Sequence, residues 1–154
     1  MDRKIELKEQ DSQPALYIRV RTSVGELPKI IGVNYMKIAA YLAELGEQPA
    51  DAPFTAYHNL DMEDLDVEMG FPTSKLLPGK GEIAAREIPQ GPVVSCMYQG
   101  PYADMEDVYN EMFKWMEDNN YESTGVYYEY YLNSPEEVKE SDLLTQLVLP
   151  VKNK

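Results

Sequence analysis

Cysteine and histidine are almost missing from this chain of 154 residues, which holds one of each, Cys96 and His58. A lone cysteine allows no internal disulfide. Neither residue sits in a cluster with metal-ligand spacing, so no metal site is expected. Positive charge is scarce too: 14 Lys and Arg stand against 27 Asp and Glu, a net charge of −13 with a pI near 4.4. Nucleic-acid binding rests on cationic contacts to phosphate, so a direct nucleic-acid partner is not expected. Cationic partners are favoured instead. No apolar run approaches the ~20 residues that cross a bilayer. The N-terminal MDRKIELKEQ lacks the apolar centre of a signal peptide. These absences lead to an expectation of a cytoplasmic protein without a membrane partner. No phosphate-cradling glycine loop and no nucleophile–base dyad are visible, and no cofactor is expected.

What is present describes a globular domain. Hydrophobic residues make up 44% of the chain, enough for a real core at this length. The acidic clusters at 61–68 and 136–142 read as solvated loops. Alternation predicts strands over Ile5–Glu9 and Ala15–Arg21. Helical spacing of Ile31, Tyr35, Ile38, Leu42 and Leu45 predicts a helix over Leu27–Leu45, stopped by Gly46. Strands follow at Phe54–Leu60 and Leu65–Phe71, ended by Pro72. Residues 73–80 form a connector containing Pro and Gly.

The second half repeats this order. Strands are predicted at Glu82–Glu87 and Val93–Gln99, and a helix over Asp104–Asn119 with Met105, Val108, Tyr109, Met112, Phe113 and Met116 on one face. A tyrosine-rich strand and a last strand at Leu143–Pro150 follow. Tyr57-His58-Asn59 occupies the place of Tyr131-Leu132-Asn133. The fold class expected is α+β: duplicated βαββ halves related by a pseudo-twofold, each preceded by an extra strand. An antiparallel sheet, two main helices and a central ligand pocket complete it. The domain is single, residues 1–154, with halves at about 1–72 and 81–154. The methionines, Met36 among them, read as core filler, and Cys96 as a small buried apolar residue.

The most unusual stretch is Tyr121 to Pro135, read as one strand over Thr124–Leu132. Period-two alternation puts Tyr127, Glu129 and Tyr131 on one face and Val126, Tyr128, Tyr130 and Leu132 on the other. The face of Val126 and Leu132 has the composition of a core face. The face of Glu129 places a carboxylate between two phenols. That is costly in an apolar wall unless the carboxylate is paired. Either Glu129 points into water, or the phenols and the acid line a pocket for a flat or cationic molecule.

Several motifs then resemble one family. Tyr98-Gln99-Gly100-Pro101-Tyr102, a helix carrying Trp115, Gly125, Glu129-Tyr130-Tyr131-Leu132-Asn133-Ser134-Pro135 and Pro150-Val151 follow one another in order. Asp66 to Pro72 supplies the matching motif of the first half. In this the chain resembles the GyrI-like small-molecule-binding domain, the effector-binding half of AraC- and MerR-type multidrug-responsive regulators. The resemblance implies the duplicated fold, a central pocket, and Glu129 facing bound aromatic or cationic compounds. The regulators carry an N-terminal helix-turn-helix, for which this chain has no room, so a stand-alone sensor or sequestering module is expected. Beside Glu129, the ligand-binding candidates are Tyr127 and Tyr131 from strand parity. Tyr57, Tyr98 and Tyr102 follow from the repeat and the motif. Met97 is added from the strand before Gly100, and Trp115 as an alternative pocket wall. His58 and Glu68 read as structural. Some relatives resemble hydrolases of electrophilic cyclopropane-bearing aromatic toxins, which makes Glu129, with Tyr98, Tyr102 or Tyr131, the candidate catalytic group of a second reading. A third is a protein partner inhibited through the acidic surface.

Overall fold

The computed structural model describes residues 4–154. Strands β1 (Ile5–Gln10) and β2 (Gln13–Thr22) lead into α1 (Leu27–Glu44). Then come β3 (Phe54–Tyr57), β4 (Leu65–Pro72), β5 (Ala84–Ile88), β6 (Gly91–Gln99), α2 (Met105–Asp118), β7 (Tyr121–Ser123), β8 (Tyr127–Tyr131) and β9 (Leu144–Asn153). This is the mixed α+β arrangement of antiparallel strands and two helices that the sequence predicts.

The described chain divides into two compact units, one of residues 11–90 and one that joins residues 4–10 to 91–154. In the first unit the strands lie in the order β3-β4-β2-β5. Pro28 opens α1, where its missing N–H is not needed. Gly46, at φ 72°, follows its last turn. The helix lays Ile38, Tyr41 and Leu42 on Leu16 and Ile18 of β2. Leu27 joins Leu65, Val67 and Met69. Met36 departs from expectation: it is 74% exposed. It falls one residue past Tyr35, about 100° around the helix and off the packed stripe.

In the second unit the order is β1-β6-β9-β8, and β7 pairs with the far end of β9. Met105, Val108, Met112 and Met116 of α2 pack on Val94, Cys96, Leu147 and Leu149. The tyrosine-rich stretch is two strands rather than one. β7 and β8 both run along β9, with Ser123 opposite Val151 and Tyr128 opposite Val148. Five steps on one side thus meet three on the other. Gly125, at φ 98°, takes up the excess in a conformation that suits glycine. The slip is even, so face parity survives it.

The first strands are exchanged relative to their order in the sequence. β1 pairs with β6, not with its neighbour β2, whereas β5 pairs with β2. The repeat itself is visible atom by atom. Asn59 donates to the Asp64 carbonyl and accepts from the Asp66 N–H, at 3.0 and 3.1 Å. Asn133 donates to the Asp142 carbonyl and accepts from the Leu144 N–H, at 3.1 and 2.8 Å. Asn120, at φ 65°, stands after α2 as Gly46 stands after α1.

Candidate functional site

Residues 91–154 build a buried carboxylate among aromatic rings. Glu129 lies on β8 opposite Leu147 of β9, which itself lies opposite Cys96 of β6. Paired residues of neighbouring strands share a face. Glu129, Leu147 and Cys96 therefore point to the side that α2 covers. Here the structure corrects the sequence reading of β8. The helix packs on the Tyr127–Glu129–Tyr131 face. On the other face Tyr128 is buried, while Leu132 beyond it is exposed.

Glu129 is 8% exposed. Two phenols donate to its carboxylate: Tyr109 of α2 to Oε2 at 2.6 Å, and Tyr131, two residues along β8, to Oε1 at 2.8 Å. Hydrogen bonds to a charged acceptor contribute about 1.5–3 kcal/mol each, which offsets much of the cost of burying the charge. Tyr127 closes one side, edge-on to Tyr109 and to Phe113 at ring-centre distances of 6.3 and 5.7 Å. Tyr102 stands at the other, edge-on to Tyr131 at 5.7 Å. It is 40% exposed and so forms the open margin. Its phenol is held above the ordinary value of 10.0, first by partial burial and then by the Glu129 charge, because a nearby anion disfavours a second negative charge.

The turn before α2 positions Tyr102. Tyr98 is buried and donates its hydroxyl to the Pro101 carbonyl at 2.7 Å. Gly100, at φ 143°, lies under that hydroxyl, and a Cβ there would come within 2.8 Å of it. Tyr98 thus braces the turn.

Of the sequence-predicted residues, the structure brings Glu129, Tyr127, Tyr131 and Tyr102 together. It places others elsewhere. Met97 lies opposite Gln146, which lies opposite Tyr130, so it is on the far face of the sheet, 42% exposed. Trp115 stacks on Tyr121 at 6.3 Å near the end of α2. Tyr57 belongs to the other unit, half-buried at the edge of the Leu65–Val67–Met69 cluster. Its pairing with Val67 repeats that of Tyr131 with Thr145. His58 and Glu68 are paired there: His58 Nε2 is 2.6 Å from Glu68 Oε1, and Arg86 Nε donates to Oε2 at 2.8 Å. Cys96 is buried.

Sequence reasoning missed Tyr109, whose inward position on α2 read as core. The repeat carried a signal. Tyr35 has the same place on α1, and its hydroxyl lies 3.3 Å from Thr55 Oγ1. Thr55 pairs with Met69 as Glu129 pairs with Leu147. The two halves share a tyrosine reaching from helix to strand, and the second carries an acid beneath it.

An α+β domain with a buried acid set among phenols has the character of a small-molecule-binding domain. The chain belongs to the GyrI-like small molecule binding domain family, which matches residues 3–152. Among curated proteins none matches the sequence. Solved structures share the fold. The C-terminal domain of EcmrR is 23% identical, with 100% of both chains covered and a TM-score of 0.83. EcmrR in complex with DNA is 22% identical at a TM-score of 0.86, and the chain spans 58% of its length while 99% of this chain is covered. A hydrolase from Listeria innocua is 16% identical, covering 97% of this chain and 92% of that one at a TM-score of 0.73. SAV2435 bound to tetraphenylphosphonium is 8% identical, covering 97% and 94% at a TM-score of 0.64. Among the described residues, no helix is long and apolar enough to cross a membrane.

Proposed function

We propose that this protein binds aromatic or cationic small molecules at Glu129, as a sensor or a sequestering module. One observation carries the reading: a carboxylate 8% exposed whose oxygens accept from Tyr109 and Tyr131. A cation entering beside Tyr102 gains the charge of Glu129 at short range and the faces of the surrounding rings. Each good cation–π contact is worth about 0.5–2 kcal/mol. Family membership supports the small-molecule part. The phosphonium cation carried by SAV2435 supports the cationic part.

The test is a titration with tetraphenylphosphonium and with ethidium, followed by tyrosine and Trp115 fluorescence. Glu129→Gln keeps the shape of the side chain and removes its charge. Affinity for both cations is expected to fall about tenfold or more, since tenfold corresponds to about 1.4 kcal/mol. Equal affinity in wild type and variant overturns the assignment.

A hydrolytic reading of the same site is favoured by the phenol–carboxylate hydrogen bonds themselves. Glu129 as base takes a proton from water while the water oxygen bonds to an electrophilic cyclopropane carbon. The ring C–C bond breaks, a phenol, Tyr131 or Tyr109, protonates the atom of the product that takes up the bonding pair, and the proton held by Glu129 passes along the hydrogen bond to restore that phenol. Incubation with a cyclopropane-bearing aromatic electrophile then yields a product heavier by one water, and Glu129→Gln abolishes it. Binding without turnover leaves the sensor or sequestering function. Neither response points to a protein partner that reads the acidic surface.

A further inference from the structure

On the face that carries Glu129 lies a hydroxyl without a hydrogen-bond partner among the described residues. Thr145 of β9 is 0% exposed, and among the described residues its Oγ1 is buried without a hydrogen-bond partner. Register places it. Thr145 lies opposite Tyr131 on one side and Tyr98 on the other, on the face that carries Glu129. The internal repeat supplies a control. The matching position of the first unit, opposite Tyr57 and Val20, is Val67, equally buried. Valine has the shape of threonine without the hydroxyl. The first unit fills this position by shape alone, and the hydroxyl occurs in the half that carries the acid. A buried polar group left unpaired opposes folding, and its retention calls for a role such as binding or catalysis.

Tyr131 is the link between that hydroxyl and the acid. Its phenol occupies Glu129 Oε1, and the residue stands directly across the ladder from Thr145. We infer that the Thr145 hydroxyl is a ligand-binding group of the Glu129 site. It is uncovered when a ligand takes over the hydrogen bond of Tyr131 and that ring swings aside. N–H groups on the ligand then serve both oxygens, one donating to Glu129 and another to Thr145 Oγ1. The site so built selects aromatic cations that carry N–H groups over cations that carry none. This inference rests on the Glu129 reading above.

The experiment compares two probes against wild type, Thr145→Val and Thr145→Ser. Ethidium carries ring amino groups, whereas tetraphenylphosphonium has no hydrogen-bonding group. Thr145→Val is expected to weaken ethidium about fivefold to tenfold, the loss of one hydrogen bond. It should leave tetraphenylphosphonium unchanged. Thr145→Ser should retain ethidium affinity. Thermal melting provides the second readout: Thr145→Val should melt no lower than wild type, because it removes an unpaired group. A lower melting temperature shows that the hydroxyl already has a partner and overturns the inference. Equal effects on the two probes, or none on ethidium, overturn it as well and leave the Glu129 reading standing. If wild type binds neither cation, or Glu129→Gln changes neither affinity, the Glu129 reading fails and this one with it.

Discussion

Tyr102 reports on Glu129 from the open margin of the site. Its phenol is raised above 10.0 by burial first and by the Glu129 charge second. Both favour the neutral form. Relative to the unfolded chain, this phenol therefore contributes stability that is fully present below 10.0 and lost as pH rises through its folded value. In Glu129→Gln the second cause disappears and the first stays. The Tyr102 titration should then move down toward 10.0 and stop short of it. Tyrosine ring-carbon NMR, with Tyr102→Phe to assign the resonance, measures this directly. An unchanged titration shows that the Glu129 charge does not reach Tyr102. The same scale shows what the sequence could tell about single residues. Alternation along β8 was enough to put Tyr127, Glu129 and Tyr131 on one face. It could not say which face the helix covers, because Tyr128 and Val126 are at least as apolar. Helical spacing turned Tyr109 inward, yet spacing carries no information on where a hydroxyl ends.

At the scale of elements, the duplicated asparagines make the repeat testable. Each joins the end of one strand to the start of the next by two hydrogen bonds, Asn59 across the β3–β4 connection and Asn133 across the β8–β9 connection. Asn59→Ala and Asn133→Ala should each lower stability by about 1–2 kcal/mol, the size of two modest hydrogen bonds. Asn133→Ala should also weaken ligand binding, because the strand it anchors carries Glu129 and Tyr131. Asn59→Ala, in the other unit, should change stability alone. Chemical denaturation and the ethidium titration together separate the two outcomes. These asparagines were visible in the sequence as matching positions of the repeat. The split of the tyrosine-rich stretch at Gly125 was harder to read. A glycine within an alternating run marks a bulge as readily as a tolerated break, and only the register against β9 decides between them.

The whole chain is laced in a way that no local pattern could reveal. Strands adjacent in sequence pair by default. On that default β1 belongs with β2, and β5 with β6. The pairing is reversed: β1 joins β6 in the order β1-β6-β9-β8, and β5 joins β2 in the order β3-β4-β2-β5. The choice between these partners depends on which sheet edge each strand can reach and on the connections between them. Hydropathy along β1 and β5 is silent on both. A fragment experiment turns this into a prediction. Residues 1–80 follow the boundary read from the sequence, and residues 11–90 follow the compact unit. The two fragments have the same length and share α1, β2, β3 and β4. The first ends before β5 and carries β1 without its partner β6. The second carries β5 on β2, where Leu16 pairs with Ala85, and lacks only β1. Residues 11–90 should therefore show the larger far-UV signal and the more cooperative urea transition. Residues 1–80 should bind thioflavin or self-associate, because an unpaired β2 edge and a loose β1 strand are free to find each other in other copies. Equal folding of the two fragments would show that β5 contributes little and that α1 with β2, β3 and β4 already forms the cooperative unit. In that case the boundary read from the sequence describes the folding of the chain better than the pairing of its strands does.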